Sequence, residues 1–223
     1  MARSGNPAPE SRHQASAWHD GSVIESDEIV LRERDGVTEL IVNGVFAMDS
    51  AEVSSELALA DAASGASRVL VGGLGLGYTA ARLLDGGAEF VRVVELSAPL
   101  VEAARQGATE QLGRLAADSR VDLVVGDIAD AITPGWDAIL LDVDNGPTFL
   151  IHDHNASLYS ADFLRRCLAA LSPSGNLVVW CETASPALEA TLVELPSRVE
   201  VIVVPVTRGE RTFDYVLYRA RQI

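Results

Sequence analysis

Hydrophobic residues along the chain fall into two patterns: short unbroken apolar runs, and longer segments in which apolar positions recur every three or four residues. The runs are Val69-Leu-Val71, Phe90-Val-Arg-Val-Val94, Val121-Asp-Leu-Val-Val125, Ala138-Ile-Leu-Leu141 and Leu177-Val-Val-Trp180, rich in β-branched residues and without strict alternation. Such runs suit parallel strands covered on both faces. Helical spacing intervenes near 78–85, 98–106, 127–132 and 161–171, the last putting Phe163, Leu164, Cys167, Leu168 and Leu171 on one face. Strands and helices in alternation predict a doubly wound α/β fold, a mostly parallel, seven-stranded, Rossmann-like sheet.

The two ends of the chain depart from this rhythm. Residues 1–21 are polar with scattered Pro, Ser and His and are expected to be a disordered tail, not a signal peptide. From Ser22, Ile29-Val-Leu-Arg32 and Thr38-Glu-Leu-Ile-Val42 flank Asp35-Gly36, and Asn43-Gly44 follows. Both dipeptides are two-residue hairpin signals, so 22–49 is expected to form an N-terminal β-hairpin unit ahead of a main domain, 50–223. Asp49 and Glu52 have the spacing of a capping box, and Val53, Leu57 and Ala60 extend a helix to about Ala63. After a helix near 186–194, Val199 to Val206 and Thr212 to Tyr218 flank Thr207-Arg-Gly-Glu-Arg211 and predict an antiparallel pair of strands.

Composition and charge narrow the function. With 223 residues, 48% of them hydrophobic, the chain can bury one substantial core. A net charge of −15 argues against nucleic acid and anionic membrane surfaces as partners and favours a cationic ligand, although it serves solubility as well. Cys167 and Cys181 lie in apolar patterns without metal or redox spacing and read as buried small hydrophobes in a reducing, cytoplasmic setting.

Ligands of a doubly wound sheet bind beyond the carboxyl ends of the strands, and four such ends carry candidate chemistry. Gly72-Gly-Leu-Gly-Leu-Gly77 follows the first run, with Gly72, Gly73, Gly75 and Gly77 allowing backbone amides to approach a cofactor closely. Glu95 ends the next strand about twenty residues on, where an acid can accept both hydroxyls of a ribose; capping the next helix is its bland alternative. Gly126-Asp127 follows the third, where Asp127, next to Ile128, can accept from an adenine amine or only cap a helix. The fourth gives Asp142-Val-Asp-Asn-Gly-Pro147, whose carboxylates Asp142 and Asp144 can bind or deprotonate an amine, or only bond to the turn backbone. Gly75-Leu-Gly-Tyr-Thr-Ala80 also satisfies the dinucleotide fingerprint, so an NAD-dependent reductase is an alternative.

Taken in order, these pieces resemble the spermidine synthase-like branch of the class I S-adenosylmethionine-dependent transferases, the methyltransferase-fold superfamily. The resemblance runs from about Leu40 to Leu171 and includes Leu158-Tyr-Ser160 before a helix. It implies that 50–223 is an S-adenosylmethionine-dependent transferase domain with a cytoplasmic role in polyamine biosynthesis. The cofactor, S-adenosylmethionine or its decarboxylated form, would be held by the four glycines, Glu95, Asp127, Ile128 and Asp142. Asp142 and Asp144 would be catalytic, and Asp144, Asn145 and Tyr159 would meet a small amine acceptor. No nucleic acid, membrane or metal is implied, and a homodimer is expected.

The departures from the family's pattern bear on its reaction. Polyamine-making members place an aspartate inside the glycine turn to hold the propylamine nitrogen of decarboxylated S-adenosylmethionine, whereas this turn has Leu74 and Leu76. Where those members carry Gln, Tyr and His before the first strand, this chain has Ala47, Met48, Val53, Ser54 and Ser55. Aminopropyl transfer is thus the leading expectation. Methyl or aminocarboxypropyl transfer from intact S-adenosylmethionine and a non-catalytic adenosyl-ligand binder stand beside it. The segment from Thr148 to Ser160, with His152, Asp153, His154 and Asn155, is expected to be a lid or acceptor loop, and its two histidines lack a third metal ligand. Trp180 and Glu182 are expected at the same rim, Trp180 mainly as core packing.

Overall fold

The computed structural model describes residues 22–26, 28–143, 145–147, 150, 153–209 and 211–222. The expected tail, 1–21, lies outside them, as do Asp144, Thr148 and His152. The chain opens with four antiparallel strands, β1 (Ser22–Glu25), β2 (Ile29–Arg34), β3 (Val37–Val42) and β4 (Val45–Asp49). Positive φ at Asp35 and Gly36, and again at Asn43 and Gly44, makes the two tight turns that the dipeptides foretell.

A seven-stranded sheet follows, in the order β10-β11-β9-β8-β5-β6-β7. Strands β5 (Arg68–Gly72), β6 (Phe90–Glu95), β7 (Val121–Val125), β8 (Trp136–Leu141) and β9 (Leu171–Cys181) run parallel, while β11 (Arg211–Gln222) pairs antiparallel with both β9 and β10 (Ser197–Arg208). Alternate residues feed two cores. Val69, Val71, Ala138, Leu140 and Val178 join the one that also takes Met48 and Leu59, and Leu70, Ile139, Leu141, Leu177 and Val179 join the other. Both faces are therefore covered, which is why the central runs show no alternation of apolar and polar residues. Cys167 and Cys181 are buried and unbridged, and burial pushes each thiol up to about 12.

Helices α2 (Tyr78–Asp85), α3 (Ala98–Arg105), α5 (Ile128–Ala131), α6 (Ala161–Ala170) and α7 (Pro186–Glu194) fall where the periodicity puts them. Two elements differ. Asp49 accepts from the amides of Ala51 and Glu52, but this closes only a turn; α1 (Ser54–Asp61) starts later, with Val53 as an N-cap that makes no side-chain hydrogen bond. Helix α4 (Glu110–Ala117) has no counterpart in the sequence reading because Gly113 breaks its pattern. That glycine is there for packing: a Cβ on it would come within 3.0 Å of the Gly107 Cα. No helix among the described residues is long and apolar enough to cross a membrane.

Candidate functional site

From β5 the chain steps outward to β6 and β7, then returns to the other side of β5 as β8, so the switch point lies between β5 and β8. The strand ends are tied together there. Asp142 N–H donates to the Gly72 carbonyl at 2.9 Å, and Gly73 N–H donates to the Val94 carbonyl at 2.9 Å. Gly73 has φ +95°, and a Cβ on it would stand 2.1 Å from the Asp142 carbonyl oxygen. No other residue fits so close a crossing. Strand β4 covers the turn from above: Leu76 N–H points to the Met48 sulfur at 3.2 Å, and a Cβ on Gly75 would meet that sulfur at 2.7 Å.

A cavity of ≈ 290 Å³ opens at this point. One half is lined by Gly73, Gly75, Glu95, Gly126, Asp127 and Ile128. Glu95 bonds through both oxygens to backbone, accepting from Leu74 N–H and Ser97 N–H, each at 2.8 Å. Asp127 accepts from Ala129 N–H at 2.8 Å, the N-cap of α5. The bland backbone-holding role is thus present at both acids, and both residues also line the cavity. Gly72 and Gly77 stand behind the turn, Gly77 as the left-handed N-cap of α2. Leu74 and Leu76 are buried in the core with Met48, so no acid replaces them within the turn.

Asp142 also lines the cavity. Burial, and then the nearby charges of Glu56 and Glu95, push its carboxyl up to about 7, against the opposing effect of a 3.1 Å hydrogen bond from Thr79 Oγ1. Asn145 also lines the cavity, and its carbonyl accepts from Glu182 N–H at 3.1 Å. Tyr159, an expected acceptor contact, stands elsewhere: its buried hydroxyl donates to the Val143 carbonyl at 2.8 Å and holds the loop after β8 from behind. Asp144 lies outside the described residues, so Asp142 is the acid of the pair that the structure describes.

The other half of the cavity is formed by Glu56, Trp180, Glu182, Arg208 and Tyr215, with Phe46 at its edge. Burial raises the Glu56 carboxyl, a shift opposed by the Ser55 hydroxyl at 2.8 Å and by the charge of Arg208. Trp180 is buried, as core packing requires, and it also forms wall, its ring 4.9 Å from that of Tyr215. Glu56, Arg208 and Tyr215 escape a sequence reading because no local motif marks them. They meet only because the last hairpin, β10–β11, folds back beside α1 and β4. Among the described residues no group of three metal-binding side chains is found.

No protein-family model matches the chain, and no curated protein matches it in sequence. Solved structures do match, among them a spermidine synthase from Thermotoga maritima, at a TM-score of 0.68 and 18% identity over 89% of this chain and 72% of that one. The chain has the spermidine synthase fold. A spermidine synthase in complex with the transition-state analogue AdoDATO aligns at a TM-score of 0.69, with 19% identity over 89% of this chain and 73% of that one. A probable spermidine synthase from Corynebacterium glutamicum gives 0.65, with 20% identity over 91% and 80%. Of the residues singled out in the sequence, Gly73 and Gly75 of the glycine turn, Glu95, Asp127 and Asp142 stand around one cavity.

Proposed function

We propose that the protein is an S-adenosyl-dependent group transferase acting on an amine, with aminopropyl transfer as its leading reaction. The observation that carries this reading is the position of Asp142, a carboxyl pushed up to about 7 at the switch point, between the glycine turn and an acidic chamber. The residues present fit such a donor: glycines bring backbone to the cavity, Glu95 and Asp127 offer acceptors for ribose and adenine, and carboxylates face a positive charge. The donor supplies a carbon next to a positively charged sulfur and departs as a neutral thioether.

The chain's own residues would then align the reactants and manage one proton. Glu56 and Glu182 attract an incoming ammonium. An amine must lose its proton to attack, and a carboxyl titrating near neutrality is matched to that task. Asp142 would take the proton, its Oδ2 held by Thr79. Transfer from intact S-adenosylmethionine is the second reading, favoured by the burial of Leu74 and Leu76 where an acid would hold the decarboxylated donor's amine. Incubation with each donor and a panel of amines, followed by mass spectrometry, tests both. Release of 5′-methylthioadenosine marks aminopropyl or aminocarboxypropyl transfer, and S-adenosylhomocysteine marks methyl transfer. Turnover with neither donor, or binding of NAD alone, would overturn the proposal.

A further inference from the structure

The half of the cavity away from Glu95 is not purely a trap for cations. Arg208 lies over the Phe46 ring at 5.2 Å, with Nη1 3.5 Å from an Asp49 oxygen, while its Nε is buried and has no hydrogen-bond partner. The other oxygen of Asp49 is already committed to two backbone amides, so the guanidinium fork is used at one corner only. The indole N–H of Trp180 is likewise buried without an acceptor. Among the described residues, four buried side-chain polar atoms lack partners, and two of them belong to this wall, on residues flanking Tyr215.

Both groups are donors only and need an acceptor from outside. Among the described residues five acids line the cavity, Glu56, Glu95, Asp127, Asp142 and Glu182, against one cation, Arg208. For a ligand whose charges are all positive the acids suffice, and a guanidinium beside it is repulsive. A ligand with an anionic group next to its ammonium satisfies both signs, since carboxylate is the planar partner that the arginine fork matches.

Building on the transferase reading above, we propose that this half of the cavity binds an α-amino acid grouping, its ammonium facing Glu56 and Glu182 and its carboxylate facing Arg208 and Trp180. Two ligands supply that chemistry: the methionyl end of an intact S-adenosylmethionine donor, or an amino acid acceptor in place of a diamine.

Two matched pairs, each differing by one carboxylate, separate these sources. Calorimetry on the full chain compares S-adenosylmethionine with its decarboxylated form. With 5′-methylthioadenosine present, it then compares ornithine with putrescine. The carboxylated member of at least one pair is expected to bind about tenfold tighter or better, and the pair concerned identifies the source. Arg208→Gln removes the preference while leaving 5′-methylthioadenosine binding intact, and Arg208→Lys, which keeps the charge near Asp49 without the fork, reduces it. Equal affinities in both pairs, or preference for the decarboxylated members, overturn the proposal on the wild-type protein alone, whatever the variants' folding. So does a preference that survives Arg208→Gln. Failure of 5′-methylthioadenosine to bind the wild type overturns the transferase reading and this proposal with it; binding without carboxylate preference overturns this proposal only.

Discussion

Thr79 Oγ1 donates to Asp142 Oδ2 at 3.1 Å, joining the first turn of α2 to the end of β8 across the switch point. The bond stabilises the charged form of a carboxyl that its surroundings otherwise keep protonated. Thr79→Val removes it without changing shape. The Asp142 carboxyl should then titrate above about 7, moving the acid limb of the kcat/KM profile to higher pH, with a stability loss of about 1 kcal/mol. An acid limb that stays in place would show that Asp142 does not govern it.

Asp142→Asn separates stability from activity. The carboxyl rises from 3.8 to about 7 on folding, so between these values the native protein holds a proton that the unfolded chain releases. Stability attributable to Asp142 is therefore full below the ordinary carboxylate range, falls as pH rises, and is lost above about 7. Asparagine has no charge to bury. Urea denaturation should find the variant more stable than wild type by up to about 4 kcal/mol on the alkaline side of this window, with no gain at acid pH. Turnover should drop by about 100-fold or more.

Glu95→Gln tests the hold on the glycine turn. The amide can accept from Leu74 or from Ser97 but sets its NH₂ against the other N–H. Affinity for 5′-methylthioadenosine, read by calorimetry, should fall by about tenfold or more, with a stability loss of about 1–3 kcal/mol. Unchanged affinity would remove Glu95 from the site.

Gly73→Ala puts a methyl group at the one crossing that has no room for it. With φ +95° and a Cβ 2.1 Å from the Asp142 carbonyl, the turn must separate from β8. Thermal unfolding should show a loss of about 3 kcal/mol or more, whereas Gly126→Ala, where a Cβ meets nothing within 4 Å, should leave the melting temperature close to wild type. Comparable losses in the two variants would mean that the crossing at Gly73 is not what constrains the turn.

What the sequence reveals follows from how local the causes are. Val69-Leu-Val71 and Ala138-Ile-Leu-Leu141 announce buried parallel strands because burial on both faces leaves its mark in consecutive residues. Glu95, Asp127 and Asp142 are legible because each closes such a strand, and the topology of the sheet brings strand ends together. Helix α4 is hidden by Gly113, whose reason is contact with Gly107, six positions earlier. Asp49 and Glu52 mimic a helix start because a capped turn and a capped helix share their first hydrogen bonds. Glu56 and Arg208 are the limiting case: 152 positions apart by their numbers, they share a wall through three elements folding together, and neither carries a local sign of it.

The contact between the Met48 sulfur and the Leu76 amide has a bearing on how this protein can diversify. The glycine turn rests on the parallel sheet below and on a strand of the N-terminal sheet above, and the wall opposite comes from the terminal hairpin. Substitutions on β10 can therefore alter the wall opposite while leaving the contacts of the glycine turn with β4 and β8 as they are. A change at Met48, by contrast, acts on the glycine turn itself.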